Sequence, residues 1–209
     1  SAFERNLLMD RNIVAILRGV QPSEVVEIGG VLIESGISKI EVPLNSPRPF
    51  ESIEALVKHF GTQAVIGAGT VLTVDDVARI ASIGGKLIVS PDCNPEVIVA
   101  TKAAGMLSYP GVMTPTECFS ALRNGADGLK FFPGNLIGPD GVKAIRAVLP
   151  MDTEILAVGG AGPENFADWK AAGASGFGIG SALYKAGDTA ELVRQKAQNI
   201  VMQYDIVFK

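Results

Sequence analysis

The sequence predicts an α/β protein, a single (β/α)8 barrel of the TIM type. Three observations predict this fold: eight short apolar runs recur at a regular interval, segments with helical apolar spacing separate them, and glycine follows the helical segments. A repeated helix–glycine–strand order implies consecutive parallel β-α units. Eight such units close into a barrel more readily than they form an open sheet.

The eight runs are short, apolar and bounded by glycine or proline, which is typical of buried parallel strands. Each run is therefore expected in the wall of the barrel, with a loop at either end. In chain order the predicted strands are Ile13–Leu17, Lys39–Leu44, Ala64–Ala68, Lys86–Val89, Met106–Tyr109, Gly128–Phe131, Glu154–Val158 and Gly176–Ile179.

Helical spacing of apolar residues separates the runs, most clearly over 25–36, 75–83 and 115–123. Residues typical of helix ends stand at the predicted boundaries. Helix starts are predicted at Ser23, Thr73 and Thr114 as N-caps and at Pro163 just inside a helix. Helix ends are predicted at Gly36, Gly105, Gly125 and Gly173.

One domain over residues 1–209 is predicted, because no linker, low-complexity tract or charge run interrupts the series. The alternative architecture is a doubly wound open sheet, which usually carries a Gly-x-Gly-x-x-Gly turn after its first strand. Here the first run ends in Leu17-Arg18-Gly19 without such a turn. Gly67-Ala68-Gly69 is a partial match, but it lies at the third run.

Composition excludes several classes of function. Hydrophobic residues make up 47% of the chain and charged residues 19%, which is enough apolar side chain for a full core and excludes disorder. The net charge of -4 comes without a basic stripe, so nucleic acid is not an expected partner. No apolar stretch approaches the roughly 20 residues that span a bilayer, and residues 1–11 lack the core of a signal peptide.

Cysteine and histidine are too few for several kinds of site. Cys93 and Cys118 form no Cys-x-x-Cys pair, and a reducing cytoplasm is the expected location. His59 is the only histidine, so neither a zinc site nor a Ser-His-Asp triad is expected. No metal or other cofactor is predicted, and neither thiol nor Trp169 is expected to carry chemistry.

Lys130 lies inside the apolar run Gly128–Pro133. Apolar surroundings disfavour its charged form, so the side chain must either reach water or lose its proton. An exposed lysine with a pKa of about 10.4 is neutral in roughly one of 2,500 molecules at pH 7. Burial that brings the pKa to about 7–8 leaves a sizeable fraction neutral, and a neutral amine attacks carbonyl carbons. The run therefore suggests a Schiff-base lysine; the alternative is a strand-end lysine that snorkels to solvent.

Polar residues gather at the predicted carboxyl ends of the strands, where a β/α barrel carries its active site. Such groups are otherwise almost absent from the runs, so one structural assumption brings them all to one rim. They are Arg18, Glu41, Asn45, Thr70, Ser90, Lys130 and Ser181.

Glu41 is flanked by apolar residues in its run, so its carboxyl group must be paired, protonated or functional. It is either one half of a structural ion pair or the proton shuttle that a carbonyl–lysine reaction needs. Arg18 suits a substrate carboxylate, which a guanidinium binds through two parallel hydrogen bonds, or is a surface cation. Thr70 supplies a hydroxyl group or caps the next helix.

Gly159-Gly160 and Gly180-Ser181 end the last two predicted strands. Loops at these two positions of the fold often bind phosphate through backbone N–H groups, and glycine lets an anion approach the backbone closely. The alternative is a pair of tight turns that need positive φ. A phosphorylated substrate is the prediction.

These motifs, taken together and in this order, resemble the aldolases that cleave 2-keto-3-deoxy-6-phospho-sugar acids, of the Entner-Doudoroff type. The similarity spans nearly the whole chain. The matching pieces are Ile16–Gly19, Ile40–Leu44, Gly67–Val71, Ser90-Pro91, Tyr109–Gly111, Leu129–Pro133, Val158–Gly160 and Gly180-Ser181.

The resemblance implies Lys130 as the Schiff-base lysine and Glu41 as the general acid/base. It implies a phosphorylated 2-keto-3-deoxy sugar acid as substrate, a homotrimer and no metal. The substrate-binding residues implied are Arg18 and Thr70 for the pyruvyl end, Gly160, Gly180 and Ser181 for the phosphate, and in addition Pro91, Phe132, Val158 and Gly159.

Two positions resemble the galactonate-type branch of the family. The gluconate-type members have Arg where this chain has Asn45 and Thr where it has Val158. A valine removes a hydroxyl group near C4 of the substrate, so weak discrimination between C4 epimers is expected. Two alternatives stay open: a metal-free epimerase of the same fold that uses Glu41 as base, and a non-catalytic phosphosugar-binding module.

Overall fold

A computed structural model of the chain describes residues 11–209, in which parallel strands alternate with α-helices. The strands are β1 (Ile13–Ile16), β2 (Lys39–Pro43), β3 (Val65–Gly69), β4 (Leu87–Val89), β5 (Leu107–Tyr109), β6 (Gly111–Val112), β7 (Gly128–Phe131), β8 (Glu154–Val158) and β9 (Gly176–Ile179). The helices are α1 (Val25–Glu34), α2 (Pro49–Phe60), α3 (Val74–Ser82), α4 (Pro95–Ala103), α5 (Pro115–Arg123), α6 (Gly134–Arg146), α7 (Phe166–Ala171) and α8 (Ala190–Phe208).

The sheet runs in the order β5-β4-β3-β2-β1-β9-β8-β7-β6, and every pair of neighbouring strands is parallel. Strands β5 and β6 lie on either side of Pro110 and form the two ends of this order, where β5 pairs with β4 and β6 pairs with β7. They are therefore two halves of one barrel strand. Pro110 has no N–H to donate, but its carbonyl oxygen accepts from the Lys130 amide at 2.9 Å. The predicted eight-stranded barrel is confirmed, and the open sheet is wrong.

Alternating side chains divide the apolar residues into two layers. Ile13 and Ala15 of β1 belong to the large core between strands and helices, whereas Val14 and Ile16 belong to a cluster inside the barrel. Glu41 pairs in register with Ile16, and Lys130 pairs in register with Leu156. Both partners, Ile16 and Leu156, belong to the inner cluster. Paired residues share a face, so both ionisable side chains project into the barrel.

A polar network lies at the amino ends of the strands. The Tyr109 hydroxyl donates to Glu154 Oε1 at 3.0 Å, and the Asn12 side chain donates to the same oxygen at 2.9 Å. Lys39 Nζ donates to the Asn12 side-chain oxygen Oδ1 at 3.2 Å. This network links β2, β5 and β8 to the residue that precedes β1.

Helix ends agree with the sequence in most places. Thr73 and Thr114 cap α3 and α5 through their side chains, and Thr114 forms a full capping box with Glu117. The N-cap predicted at Ser23 is wrong, because α1 follows Glu24 and has no side-chain cap. The glycines predicted as helix stops all have positive φ: Gly36, Gly105, Gly125 and Gly173.

The helix start predicted around Pro163 is also wrong. Pro163 lies in a turn, and α7 begins at Phe166 with Asn165 as its N-cap. The Asn165 side chain accepts from the Gly162 amide at 3.0 Å and donates to the Gly160 carbonyl at 2.7 Å. Asn165 therefore holds the turn that delays the helix.

Within residues 11–209, no helix combines the length and the apolarity needed to cross a bilayer. The expectation of no signal-peptide core concerns residues 1–11, of which 1–10 lie outside the described residues, as does the first part of the predicted 1–209 domain.

Candidate active site

A cavity of about 700 Å³ opens at the carboxyl ends of the strands. It contains most of the predicted site residues: Arg18, Lys130, Phe132, Val158, Gly159, Gly160, Gly180 and Ser181. A much smaller cavity, of about 10 Å³, shares Ile16, Lys130, Val158 and Gly178 with it and is also lined by Glu41. The two predicted catalytic side chains therefore face the same space inside the barrel.

Lys130 on β7 is only 4% exposed, so its side chain does not snorkel to solvent. Its Nζ lies 4.6 Å from the centroid of the Phe132 ring. Burial lowers the pKa of Lys130; the negative charge of Glu41 opposes this shift and the positive charge of Arg18 adds to it. The fold thus favours the neutral amine that nucleophilic attack requires.

Glu41 on β2 is 1% exposed, and its Oε2 has no hydrogen-bond partner among the described residues. Burial raises the pKa of Glu41 to about 7, against the attraction of Lys130 and Arg18. No ion pair within 4.0 Å joins Glu41 to another side chain of residues 11–209, so the structural ion pair is not what is observed. A carboxyl group with a pKa near 7 can both accept and donate protons at neutral pH.

Arg18 follows β1 at the mouth of the cavity. Its Nη1 donates to the Asn45 side-chain oxygen and, at 3.3 Å, to Thr70 Oγ1. Thr70 has φ of 55°, a left-handed conformation that β-branched residues rarely adopt. Such strain collects at functional sites. Thr70 does not cap α3, because Thr73 does; its hydroxyl faces Arg18.

The two glycine loops differ in their geometry. Gly159 and Gly160 have φ of 101° and 74°, so this loop is a tight turn that requires glycine. A Cβ added to Gly180 would meet no atom closer than Ile16 Cβ at 4.0 Å, so the space beside Gly180 is open. Both loops line the large cavity, as a phosphate site would need.

Pro91 does not line either cavity. Its carbonyl instead packs against Gly111, where an added Cβ would lie 2.2 Å from the Pro91 oxygen. Among the residues expected to carry no chemistry, Cys93 has its Sγ 3.4 Å from the Glu117 carbonyl oxygen, and burial raises the pKa of its thiol.

Sequence reasoning missed three polar residues that line the large cavity, Glu164, Tyr184 and Lys185. The Tyr184 hydroxyl donates to Glu24 Oε1 at 2.9 Å, which fixes its ring beside the cavity. Lys185 follows the Gly180-Ser181 turn by four residues. The signal that could have identified it is therefore a cation close in sequence to a predicted phosphate loop. Among residues 11–209, no group of three or more His, Cys, Asp and Glu could hold a metal ion.

A buried lysine beside a buried carboxyl group at the carboxyl end of a parallel barrel has the features of an enzyme that works on carbonyl compounds through an amine. The KDPG and KHG aldolase family model matches residues 5–200. The chain belongs to this family.

Two relatives and one solved structure cover nearly the whole chain. A probable 2-dehydro-3-deoxy-6-phosphogalactonate aldolase of Rhizobium meliloti (strain 1021) is 52% identical over 96% of this chain and 94% of its own length. The 2-dehydro-3-deoxy-6-phosphogalactonate aldolase of Escherichia coli (strain K12) is 46% identical over 92% and 94%. A solved structure described as native KDPGal superposes with a TM-score of 0.94 at 44% identity, covering 95% of this chain and 97% of its own.

Glu41→Gln is expected to make the protein more stable relative to the parent as the pH rises. The folded state raises the pKa of Glu41 from 4.5 to about 7, so the parent loses stability as this carboxyl group ionises across that interval. At about 1.4 kcal/mol per pH unit the loss is on the order of 3 kcal/mol above pH 7. The amide does not ionise and avoids it.

Urea unfolding of both proteins at pH 4 and pH 8 measures this effect. The matched control is Glu54→Gln, which changes an exposed carboxyl group on α2 and leaves the pH dependence of the parent intact. An equal stability difference between Glu41→Gln and the parent at both pH values contradicts the interpretation.

Proposed function

We propose that the protein is a class I aldolase that cleaves 2-dehydro-3-deoxy-6-phosphogalactonate, and also its gluconate epimer, to pyruvate and D-glyceraldehyde 3-phosphate. The observation that carries this proposal is the burial of Lys130 and Glu41 around one cavity at the mouth of the barrel. The names of the two relatives support the substrate class. Neither an epimerase nor a non-catalytic binding module is favoured, because the family consists of aldolases.

The reaction begins at Lys130. Its neutral amine attacks the C2 ketone. The carbinolamine so formed takes up a proton from solvent and loses water, which gives an iminium ion that withdraws electrons from C3. Glu41, directly or through a water molecule, takes the proton of the C4 hydroxyl group. The C3–C4 bond then breaks; its electron pair forms the enamine, and C4 leaves as the aldehyde.

The second half of the cycle returns the same proton. The carboxylic acid form of Glu41 protonates the enamine at C3, which restores the iminium ion. Water then adds at C2, one proton returns to solvent, and pyruvate and the free amine are released. A pKa of about 7 suits both roles of Glu41, because each form of the carboxyl group is well populated at neutral pH.

The ends of the substrate bind on opposite sides of Lys130 in this proposal. Arg18, held by Asn45 and Thr70, binds the carboxylate of the pyruvyl end. The open Gly180-Ser181 loop and Gly160 bind the phosphate through backbone N–H groups. Lys185 lies on the same cavity and adds a positive charge for the dianion. Phe132 and Val158 line the cavity beside the carbon chain. Contact between Pro91 and the substrate stays a prediction.

We expect Lys130→Met to lower kcat by at least about 1,000-fold, since the covalent route is lost. Borohydride added with pyruvate traps the parent as a carboxyethyl adduct on Lys130, which peptide mass spectrometry locates. Lys58→Met, an exposed lysine on α2, is the matched control and stays active. Substantial activity in Lys130→Met, as an epimerase would show, rules the mechanism out.

The apolar side chain of Val158 predicts weak choice between C4 epimers, with kcat/KM values for the two substrates within about 100-fold of each other. Coupled pyruvate release on the galactonate and gluconate 6-phosphates measures the ratio. Val158→Thr places a hydroxyl group at the cavity and is expected to shift this ratio towards the gluconate. Val74→Thr, at an exposed position of α3, is the control and leaves the ratio unchanged. An unchanged ratio in Val158→Thr removes this residue from epimer choice.

The protein is proposed to be a cytoplasmic homotrimer. Free cysteines at positions 93 and 118 suit a reducing compartment. Large apolar side chains are strongly exposed in the single chain, among them Leu136 (69%), Met151 (93%) and Ile206 (69%), and are available to an interface. Light scattering of the purified protein should give three times the chain mass of 21.8 kDa; a monomer mass contradicts the trimer.

A further inference from the structure

We infer that Gly69 is the positioning residue of Glu41. Gly69 ends β3 and has no side chain, and the space that it leaves, here called the seat, holds the Glu41 carboxyl group. This inference rests on the proposed function for its catalytic meaning. Its structural content is independent, because it concerns which atoms occupy the space above Gly69.

The contacts of Gly69 are specific. A Cβ built on Gly69 would lie 2.0 Å from Glu41 Oε2, 2.4 Å from Oε1 and 2.3 Å from Cδ. These three atoms are its nearest neighbours, so the space that glycine leaves is filled by the carboxyl group and by nothing nearer. A contact under 3.0 Å means that the carboxyl group has to move if a methyl group is added.

Backbone conformation does not explain this glycine. The φ of Gly69 lies outside the left-handed region, so alanine fits its backbone. Gly69 pairs in register with Pro43, and its carbonyl accepts from the Leu44 amide at 2.9 Å. The backbone is thus ordinary β-strand, and the requirement for glycine is one of space alone.

Gly67, two residues earlier, has a different role. A Cβ there would lie 1.9 Å from the Leu87 carbonyl oxygen of β4, so Gly67 permits two strands to approach. Ala68 between them faces the outer core. Of these three residues, only Gly69 therefore makes room for a side chain of the active site.

A seat of this kind matters because Glu41 Oε2 is buried and has no hydrogen-bond partner among the described residues. The walls of the cavity therefore hold the group near Lys130, and the carboxyl group keeps its bonding capacity for the proton that it transfers. A fully hydrogen-bonded carboxylate has a lowered pKa and is a poor proton donor at neutral pH.

Gly69→Ala is expected to lower kcat about 100-fold, the loss that a displacement of about 1 Å can produce. The acid limb of the pH profile of kcat/KM also moves down from about 7, since the displaced carboxyl group leaves its buried seat. Gly30→Ala on α1 is the matched control: its added Cβ meets only Phe60 Cζ at 3.5 Å, and its kinetics match the parent.

The double variant separates this inference from the proposed function. In a Glu41→Ala background the carboxyl group is gone, so Gly69→Ala fills empty space and raises Tm, whereas it lowers Tm in the parent. Equal Tm changes in both backgrounds, with an unmoved acid limb, overturn the inference even if Lys130→Met confirms an aldolase. If the single variant does not fold, a folded double variant supports the seat and an unfolded one overturns it.

Discussion

The site depends on two groups of opposite charge type that are buried together without being bonded to each other. Water would ionise both Lys130 and Glu41, and a direct ion pair would keep them ionised. The barrel interior does neither: burial shifts both pKa values towards the neutral forms, and the mutual attraction of the pair only partly opposes that shift. The protein thereby holds a nucleophile and a proton carrier ready for use, and its stability is lower for it.

The fold supplies this arrangement through register. The inner cluster of the barrel is formed by apolar residues of β1, β4, β5 and β8, so each ionisable group meets aliphatic neighbours such as Ile16, Leu156 and Val158. The split of one strand at Pro110 still leaves a carbonyl oxygen to bind the Lys130 amide. The lysine is therefore anchored at its backbone while its amine projects into the cavity.

Much of this could be predicted from the sequence alone, because the spacing of apolar residues and the positions of glycines at helix ends are local properties of the chain. Apolar runs and helix-ending glycines located the strands, and a lysine and a glutamate inside such runs marked the site. The polar residues that carry no such contrast with their neighbours, Lys185 and Tyr184, were missed. So was the meaning of Gly69: its partner lies on another strand, and only three-dimensional contact reveals it.

One failed prediction and one open alternative were decided by interactions of the same kind. The Pro163 segment remains a turn because Asn165 bonds back to Gly160 and Gly162, a contact that a helix-start preference does not encode. For Thr70 the sequence left two alternatives, a hydroxyl group at the site or a helix cap, and its strained backbone turns the hydroxyl towards Arg18. In both places a side-chain hydrogen bond overrides the average preference of the residue.

The polar network at the amino ends of the strands bears on how substrate and products enter and leave the barrel. Tyr109, Glu154 and Asn12 are hydrogen-bonded together at that end, and the cavity that Lys130 lines opens at the opposite one, the carboxyl ends of the strands. In the proposed cycle the keto acid fragment is still bonded to Lys130 when the aldehyde fragment is set free. The aldehyde therefore leaves through this opening first, and the keto acid follows only after water has cleaved its bond to the amine.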